Sequence, residues 1–242
     1  MLKAEHCALF LDVDGTLLEF AARPDEVQVD SATLSLLGRL RTLLDGAVAL
    51  VSGRSLAQLD ELFRPLVLPA AGIHGFERRS ASGLVHRSPM TVAALDRIRR
   101  WFRGVVLPDS GLTLEDKGHA LALHYRTAPQ AAARARASIR TAAAQLGPTF
   151  EVIEGAKVVE LKPAGATKAT AINAFMAEAP FKGRMPVFLG DDVTDFDGFA
   201  AVRGHGGMDV AVGDRVSARW YLEGPGATHR WLAELADCLG HA

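Results

Sequence analysis

Two aspartates follow a short apolar segment near the start of the chain. Residues 8–16 read ALFLDVDGT, so Asp12 and Asp14 occupy alternate positions before Gly15 and Thr16. An apolar run bounded by turn-forming residues is typical of a buried strand, and open α/β sheets bind ligands at the C-terminal ends of such strands. Two carboxylates at one strand end are costly unless a cation or a phosphate chemistry requires them.

A second acidic cluster follows another apolar segment. Residues 186–195 read PVFLGDDVTD, which places Asp191, Asp192 and Asp195 directly after PVFL. If both segments are strands of one parallel sheet, both clusters lie at the same edge and their carboxylates converge. Such a group requires a divalent cation or the protonation of some carboxyls. Oxygen ligands with room for water suit Mg²⁺, which takes one or two carboxylates plus substrate phosphate oxygens.

Two alternatives compete with a catalytic role for these aspartates. An EF-hand calcium loop that begins at Asp12 needs glycine at its sixth position and glutamate at its twelfth, but these are Leu17 and Arg23. A calcium loop is therefore excluded. The other alternative is helix capping or turn formation, which remains open for Asp195 taken alone. Capping does not explain the aspartates that end both apolar segments.

Two further segments lie where a phosphate needs contacts. The apolar segment AVALV is followed by Ser52, Gly53 and Arg54, and a hydroxyl with main-chain N–H groups at a helix start is a natural phosphate contact. For an isolated Ser-Gly-Arg, an N-cap serine remains the alternative. Lys168 begins a predicted helix, where a cation opposes the helix dipole. This misfit favours a functional lysine that neutralises carboxylates and phosphate.

These residue types together support phosphoryl transfer. A carboxylate beside Mg²⁺ can attack phosphorus in line and form an aspartyl-phosphate. A second carboxyl can protonate the leaving alcohol and then deprotonate the incoming water. The chain offers one candidate for each role: Asp12 as nucleophile, Asp14 as general acid and base, Ser52 and Lys168 on the phosphate, and Asp191 on the metal.

Apolar segments alternate with helix-like segments in two parts of the chain. The strand-like segments are residues 8–14, 47–53, 66–72, 186–192 and 209–213. The helix-like segments include residues 31–44, 55–66, 167–179 and 194–202. This alternation predicts an α/β fold in which helices cover both faces of a parallel sheet.

The middle of the chain alternates apolar and polar residues instead, which is typical of antiparallel strands with one polar face. The pattern occupies residues 83–88, 111–126 and 150–163. Two helical segments are interspersed. We therefore predict a core formed by residues 1–78 and 164–242, with an α+β insertion over residues 79–163.

The composition excludes several kinds of partner. The chain of 242 residues has 27 Lys+Arg against 28 Asp+Glu, so no global basic field exists for nucleic acid or an acidic membrane surface. No segment predicts a membrane span or a signal peptide. Cys7 and Cys238 lack metal-ligand spacing and are typical of reduced thiols. We expect a cytoplasmic protein that binds a small molecule. Its oligomeric state is not determined by sequence, and a monomer is expected.

The motifs resemble a known superfamily when they are taken together. Asp12-Val13-Asp14-Gly15-Thr16, Ser52, Lys168 and Gly190-Asp191-Asp192 resemble, in order and context, the four motifs of the haloacid-dehalogenase (HAD) phosphatases. The resemblance implies a Rossmannoid core with an inserted α/β cap. It also implies that Asp12 is the nucleophile, that Asp14 is the acid and base, and that Asp12, Asp191 and the Asp14 carbonyl surround Mg²⁺. Asp192 or Asp195 would support the metal indirectly.

Three longer patterns narrow the resemblance. GIHG-x-E, E-x-K-G-x-x-L-x-x-H-Y-R and VVELKP-x-G-x-x-K resemble the trehalose-6-phosphate phosphatases. The resemblance implies that Glu115, Lys117, Arg126 and Glu160 hold glucosyl hydroxyls or phosphate. The remaining candidate substrate contacts are Gly53, Arg54, His74, Gly75 and His119.

Several alternatives stay open at this point. The polar residues of the insertion also fit an ordinary solvated sheet face with cross-strand ion pairs. The substrate could be another sugar phosphate, such as sucrose phosphate or mannosyl-phosphoglycerate. A phosphomutase and a non-catalytic sugar-phosphate binding protein are further possibilities. The binding protein is disfavoured, because a protein that only binds sugar phosphates needs no general acid and base beside the nucleophile.

Overall fold

A computed structural model describes residues 7–21, 26–87 and 93–241. The strands are β1 (Cys7–Leu11), β2 (Val48–Val51), β3 (Ala70–Gly72), β4 (Glu77–Arg79), β5 (Val85–Arg87), β6 (Thr113–Asp116), β7 (Leu121–His124), β8 (Phe150–Gly155), β9 (Val158–Pro163), β10 (Met185–Gly190), β11 (Met208–Val212) and β12 (Trp220–Leu222). The helices are α1 (Ser31–Leu43), α2 (Leu56–Leu62), α3 (Ala93–Trp101), α4 (Ala132–Leu146), α5 (Lys168–Met176), α6 (Phe196–Gly204) and α7 (Pro225–Gly240).

The described residues divide into two compact units. The core unit contains residues 7–20, 27–87 and 167–241, and the insert unit contains residues 93–166 together with Ala21 and Glu26. Each unit has its own buried apolar cluster. No helix among the described residues is long and apolar enough to cross a membrane.

An eight-stranded sheet forms the centre of the core unit, in the order β12-β11-β10-β1-β2-β3-β4-β5. The strands from β12 to β3 are parallel, and β4 and β5 extend the sheet in antiparallel pairing. The predicted α/β class and parallel sheet are confirmed. Residues 79–87, which the sequence analysis assigns to the insertion, belong to the core unit, and β5 within them pairs with β4 of the core sheet. Strand β12, the three apolar residues Trp220–Leu222, is short and largely exposed, and the sequence analysis does not predict it.

The central strand β1 is anchored by aromatic packing. Phe10 lies 5.9 Å from the ring of Phe175 on α5 and 5.4 Å from that of Phe181, measured between ring centroids. All three rings are fully buried. Strand β1 also pairs on both sides, with β10 and β2. Because both its faces and both its edges are covered, the position of the residues that follow β1 is firmly determined.

The insert unit is an antiparallel sheet with helices on one face. The strand order is β6-β7-β9-β8. Apolar side chains of β7 and β9 pack with those of α3 and α4 in one cluster. The register aligns Glu115 with Ala122 and Ala122 with Glu160, so both glutamates lie on the same face of the sheet. Leu121 and Leu123 alternate with these residues and belong to the apolar cluster.

Candidate active site

Both acidic clusters of the sequence lie at the C-terminal edge of the parallel sheet. Asp12 directly follows β1, and its N–H donates to the carbonyl of Leu189 on β10 at 3.0 Å. Asp191 directly follows β10, and Ser52 follows β2 on the other side of β1. This edge is where parallel sheets bind their ligands. The core unit therefore brings three predicted site segments together.

A tight turn after Asp12 lets the two acidic motifs approach each other. Gly15 has a φ of +90°, and its N–H donates to the carbonyl of Leu18 at 2.7 Å. A Cβ on Gly15 would lie 2.2 Å from Oδ2 of Asp191. A side chain at position 15 would therefore be strained and would displace Asp191. The hydroxyl of Thr16 donates to Oδ1 of Asp191 at 3.4 Å.

Three buried carboxylates form a compact cluster, which a lysine joins. Carboxylate oxygens of Asp12, Asp191 and Asp195 all lie within 4.8 Å of one another. Lys168, the first residue of α5, donates from Nζ to Asp12 at 2.6 Å and to Asp195 at 2.5 Å. Its side chain is 3 % exposed. Lys168 opposes the dipole of α5 at its N-terminus, but it pairs with two carboxylates of the site.

Burial and ion pairing oppose each other at Asp12. Burial raises the pKa of Asp12 to about 7; Lys168 acts in the opposite direction, and the nearby carboxylates of Asp195 and Asp14 add to the rise. Burial alone would lower the pKa of Lys168, but Asp12 and Asp195 raise it above its usual value. Lys168 therefore stays charged, and because two carboxylates share it, it does not fully offset the burial of Asp12.

The structure distinguishes Asp195 from Asp192. Oδ2 of Asp195 accepts the N–H groups of Asp191 at 3.0 Å and Asp192 at 2.9 Å, while Oδ1 accepts Lys168. Asp195 is fully buried. Asp192 is partly exposed and accepts the N–H of Val193 at 2.8 Å. Asp195 thus orders the loop that carries Asp191, whereas Asp192 caps the short turn after it.

Arg54 forms a bidentate ion pair with the carboxylate of Asp14. Nε of Arg54 lies 2.7 Å from Oδ2, and Nη2 lies 2.7 Å from Oδ1. The N–H of Arg54 in turn donates to the hydroxyl oxygen of Ser52 at 3.1 Å. Two parallel charge-assisted bonds fix both the distance and the plane of a carboxylate. The sequence predicts Arg54 as a substrate contact, and in this structure its partner is Asp14.

The other predicted residues near this loop lie in the adjacent turn. His74 is buried, and a Cβ on Gly53 would lie 2.8 Å from its imidazole ring. Gly75 packs against the main chain of Thr167. A Cβ at position 75 would lie 2.4 Å from the carbonyl oxygen of Thr167. The two glycines therefore allow close packing between the loop, the turn and the start of α5.

Arg215 is a site residue that the sequence analysis missed. Its guanidinium forms an ion pair with Asp191 and lies 3.8 Å from a carboxylate oxygen of Asp192. It also lies 4.7 Å from the centroid of the Phe20 ring. A signal existed, because Arg215 comes shortly after the strand-like segment 209–213. That segment forms β11, and its parallel neighbour in the sheet is β10, the strand that Asp191 follows.

Polar residues of the insert unit form their own network. Nζ of Lys117 lies 2.6 Å from Glu160 and 3.9 Å from Glu115, and Nε2 of His124 lies 2.7 Å from Glu115. Arg126 donates to the carbonyl of Ala156 at 3.1 Å. His119 is half-buried in the turn between β6 and β7. Glu115, Lys117 and Glu160 are thus brought together, while Arg126 contacts the main chain.

The pKa of Asp12 predicts a pH-dependent stability in EDTA. The pKa of Asp12 in the folded protein, about 7, lies above the ordinary aspartate value of 3.8, so Asp12 stabilises the fold at low pH and loses that contribution as pH rises through about 7. Asp12→Asn removes the titration. We expect the melting temperature of the variant, relative to wild type, to rise between about pH 5 and about pH 8. Thermal unfolding measures this. Parallel curves for both proteins would contradict it, and Asp197→Asn controls for loss of an exposed carboxylate.

Known proteins are similar to this chain in sequence. A family model described as trehalose-phosphatase matches residues 10–224. The chain is 44% identical over 233 residues to trehalose-6-phosphate phosphatase of Escherichia coli (strain K12), a match that covers 96% of this chain and 87% of the relative. It is 41% identical over 214 residues to a probable trehalose-phosphate phosphatase of Sinorhizobium fredii, with 88% and 80% covered.

Solved structures agree on the fold. The C-terminal domain of C. albicans trehalose-6-phosphate phosphatase matches with a TM-score of 0.82 at 20% identity, covering 96% of this chain and 92% of that one. A HAD-superfamily phosphatase from Bacteroides thetaiotaomicron matches with a TM-score of 0.61 at 15% identity, covering 98% and 95%. The fold is therefore that of the HAD phosphatases, and the chain belongs to the trehalose-phosphatase family.

Proposed function

We propose that this protein hydrolyses trehalose 6-phosphate to trehalose and phosphate through an aspartyl-phosphate. The observation that carries the proposal is the pairing of Asp12 with Lys168 and of Asp14 with Arg54 at the edge where Asp191 lies. The names of the relatives support the choice of substrate, since they match over most of the chain.

The donor set fits a hard divalent cation. All candidate ligand atoms of the buried cluster are carboxylate oxygens, which Mg²⁺ prefers. In addition, the five aspartates of the site face three cations, Lys168, Arg54 and Arg215, so negative charge remains for a divalent ion to neutralise. We propose that Asp12, Asp191 and the Asp14 carbonyl hold Mg²⁺, with Asp195 supporting them. Bound there, Mg²⁺ would neutralise charge on the transferring phosphoryl group.

Asp12 is the proposed nucleophile. Its carboxylate oxygen bonds to phosphorus while the bond between phosphorus and the sugar oxygen breaks, which leaves an aspartyl-phosphate. The ion pair with Lys168 supports this role, because it opposes the effect of burial on the pKa of Asp12 and orients the carboxylate. Lys168 and the buried hydroxyl of Ser52 are the proposed contacts for the phosphate oxygens.

Asp14 is the proposed acid and base. Its carboxyl donates a proton to the departing sugar oxygen, and its carboxylate then takes a proton from the water that attacks the aspartyl-phosphate. Both oxygens of Asp14 accept N–H groups of Arg54, which is the arrangement of an ionised carboxylate. Each oxygen accepts a single N–H of Arg54, so each keeps a further lone pair at which the transferred proton can be held.

We assign sugar recognition to the insertion predicted at residues 79–163. Glu115, Lys117 and Glu160 present acceptors and a donor on one sheet face, and sugar hydroxyls need both. His74, Gly75, Gly53, His119 and Arg126 remain proposed contacts of lesser weight. Burial raises the pKa of the Cys7 thiol to about 11, which keeps the thiol protonated and poorly reactive. A reduced, cytoplasmic enzyme stays a prediction. A monomeric state also stays a prediction.

Substrate and cation are tested by phosphate release from a panel of sugar phosphates. We expect kcat/KM with Mg²⁺ to be at least ~10-fold higher for trehalose 6-phosphate than for glucose 6-phosphate or sucrose 6-phosphate, because sugar contacts add to transition-state binding. EDTA should abolish release. Equal rates on trehalose 6-phosphate and glucose 6-phosphate would refute the substrate, and full activity in EDTA would refute the cation. Binding without release would indicate a sugar-phosphate binding protein.

The nucleophile is tested by Asp12→Asn. We expect kcat for trehalose 6-phosphate to fall by on the order of 10³-fold or more, since an amide does not form the acyl-phosphate bond. Substrate binding, measured by calorimetry, should persist. Asp197→Asn is the matched control, because Asp197 is an exposed aspartate of the same sheet edge and should leave kcat unchanged. Appreciable turnover by Asp12→Asn would exclude Asp12 as nucleophile.

Sugar recognition is tested by Glu115→Ala. Loss of a charged hydrogen-bonding group is expected to lower kcat/KM for trehalose 6-phosphate by about 10- to 100-fold. The small ester p-nitrophenyl phosphate, which lacks the sugar, should be affected far less. Glu154→Ala is the control, because Glu154 pairs with Arg136 and Arg140 of α4 instead. Equal losses on both substrates would show that Glu115 is structural.

A further inference from the structure

The loop that carries Ser52 and Arg54 is bound along its whole length by the segment 71–77. The N–H of Ser52 donates to the carbonyl of Ala71 at 2.9 Å, and the carbonyl of Ser52 accepts the N–H of His74 at 3.0 Å. The carbonyl of Arg54 accepts the N–H of Ile73 at 2.9 Å. The backbone of the segment therefore determines where the loop lies.

This segment adopts an unusual backbone to make these bonds. Ile73 and His74 both have positive φ values, 49° and 55°. Such values are rare for residues other than glycine and are particularly unfavourable for a β-branched side chain. Gly72 is also closely packed, since an added Cβ would lie 2.8 Å from the carbonyl oxygen of Arg54. Strained backbone of this kind persists where the surroundings over-determine it, often at functional sites.

Glu77 completes the contact at the end of the loop. Its side chain is almost fully buried, and Oε1 accepts the N–H of Leu56, the first residue of α2, at 2.5 Å. Oε2 accepts Nε of Arg87 on β5 at 2.9 Å. The first three contacts to the loop are made by the main chain, whereas this one depends on a side chain. Neither phosphate binding nor proton transfer, as proposed above, uses Glu77.

Arg54 links the end of the loop to Asp14. Arg54 lies two residues before Leu56, and its guanidinium holds both carboxylate oxygens of Asp14. We propose that Glu77 is a positioning residue for phosphoryl transfer, which fixes the end of the loop and thereby holds Arg54 against Asp14. This inference rests on the proposed role of Asp14 as proton donor. It does not depend on which sugar the enzyme accepts.

Two aryl phosphates separate a positioning role from a purely structural one. Phenyl phosphate and p-nitrophenyl phosphate have nearly the same shape, but phenolate is the more basic leaving group and needs a proton more. Displacement of Asp14 should therefore harm phenyl phosphate more than p-nitrophenyl phosphate. A variant that only destabilises the fold should harm both equally. kcat/KM is the quantity to compare, because it reports the step in which the ester bond breaks.

For Glu77→Ala, we expect kcat/KM to fall by about 10- to 100-fold on phenyl phosphate, since small misplacements of reacting groups have effects of this size. The loss on p-nitrophenyl phosphate should be several-fold smaller. Glu77→Gln keeps an acceptor oxygen for the N–H of Leu56 and should retain most of the activity. If Glu77→Ala does not fold, Glu77→Asp replaces it, because the shorter side chain lengthens the same hydrogen bond.

Asp209 provides a matched control. It is a fully buried carboxylate that also accepts one arginine side chain, that of Arg203 at 2.7 Å, and one main-chain N–H, that of Arg219 at 3.3 Å. Asp209→Ala should lower the melting temperature without changing the ratio of kcat/KM between the two esters.

Equal losses on both esters for Glu77→Ala, or for Glu77→Asp where it replaces it, would overturn the inference. No loss at all for that variant, or a loss for Glu77→Gln as large as that of Glu77→Ala, would also overturn it. Failure of the wild type on trehalose 6-phosphate with normal turnover of aryl phosphates would refute the substrate proposal alone. The comparison of the two esters would remain valid in that case, because neither ester contains a sugar.

Discussion

The burial of several carboxylates at one sheet edge is the constraint on which the rest of the structure depends. Asp12, Asp191 and Asp195 are buried within a few ångströms of each other, where each charge is poorly solvated. Burial in such surroundings favours the neutral acid, and a neutral Asp12 is a poor nucleophile. Three cations that pair with the aspartates of the site oppose this effect: Lys168, Arg54 and Arg215. Lys168 is the most buried of them. Lys168 opposes the effect of burial on the pKa of Asp12 and thereby favours the ionised carboxylate.

Several features of the fold serve this arrangement. Strand β1 is held on both faces and both edges, so Asp12 does not retreat from its neighbours. Gly15 lets the turn after β1 approach Asp191. One carboxylate oxygen of Asp195 accepts a hydrogen bond from Lys168, and the other accepts two main-chain N–H groups, which orders the loop that carries Asp191. The apolar core and the polar network therefore stabilise the same few positions.

Much of the site was predictable because parallel strands place their C-terminal ends at one edge. The strand-like segments that end at Asp12, Ser52 and Asp191 are short and apolar, and the structure brings these residues to that edge as expected. The alternating pattern over residues 83–88 predicts a strand where β5 lies, but the sequence analysis places it in the insertion, whereas β5 joins the core sheet through the short, polar strand β4. Arg215 was missed because an exposed arginine after a strand is ordinary in a sequence. Only its distance to Asp191 makes it notable.

The sequence by itself determined the chemistry available to this protein: which carboxylates, hydroxyls and cations end which strands, and hence the fold class and the phosphatase family. The tertiary structure decided which charge neutralises which. It pairs Lys168 with Asp12, which lies 156 positions away in the sequence, and it pairs Arg54 with Asp14. It also shows that Asp195 and Asp192 make different hydrogen bonds. The reason is that electrostatic and hydrogen-bond energies depend on distance and solvent exposure, and neither quantity is encoded in the spacing of residues along the chain.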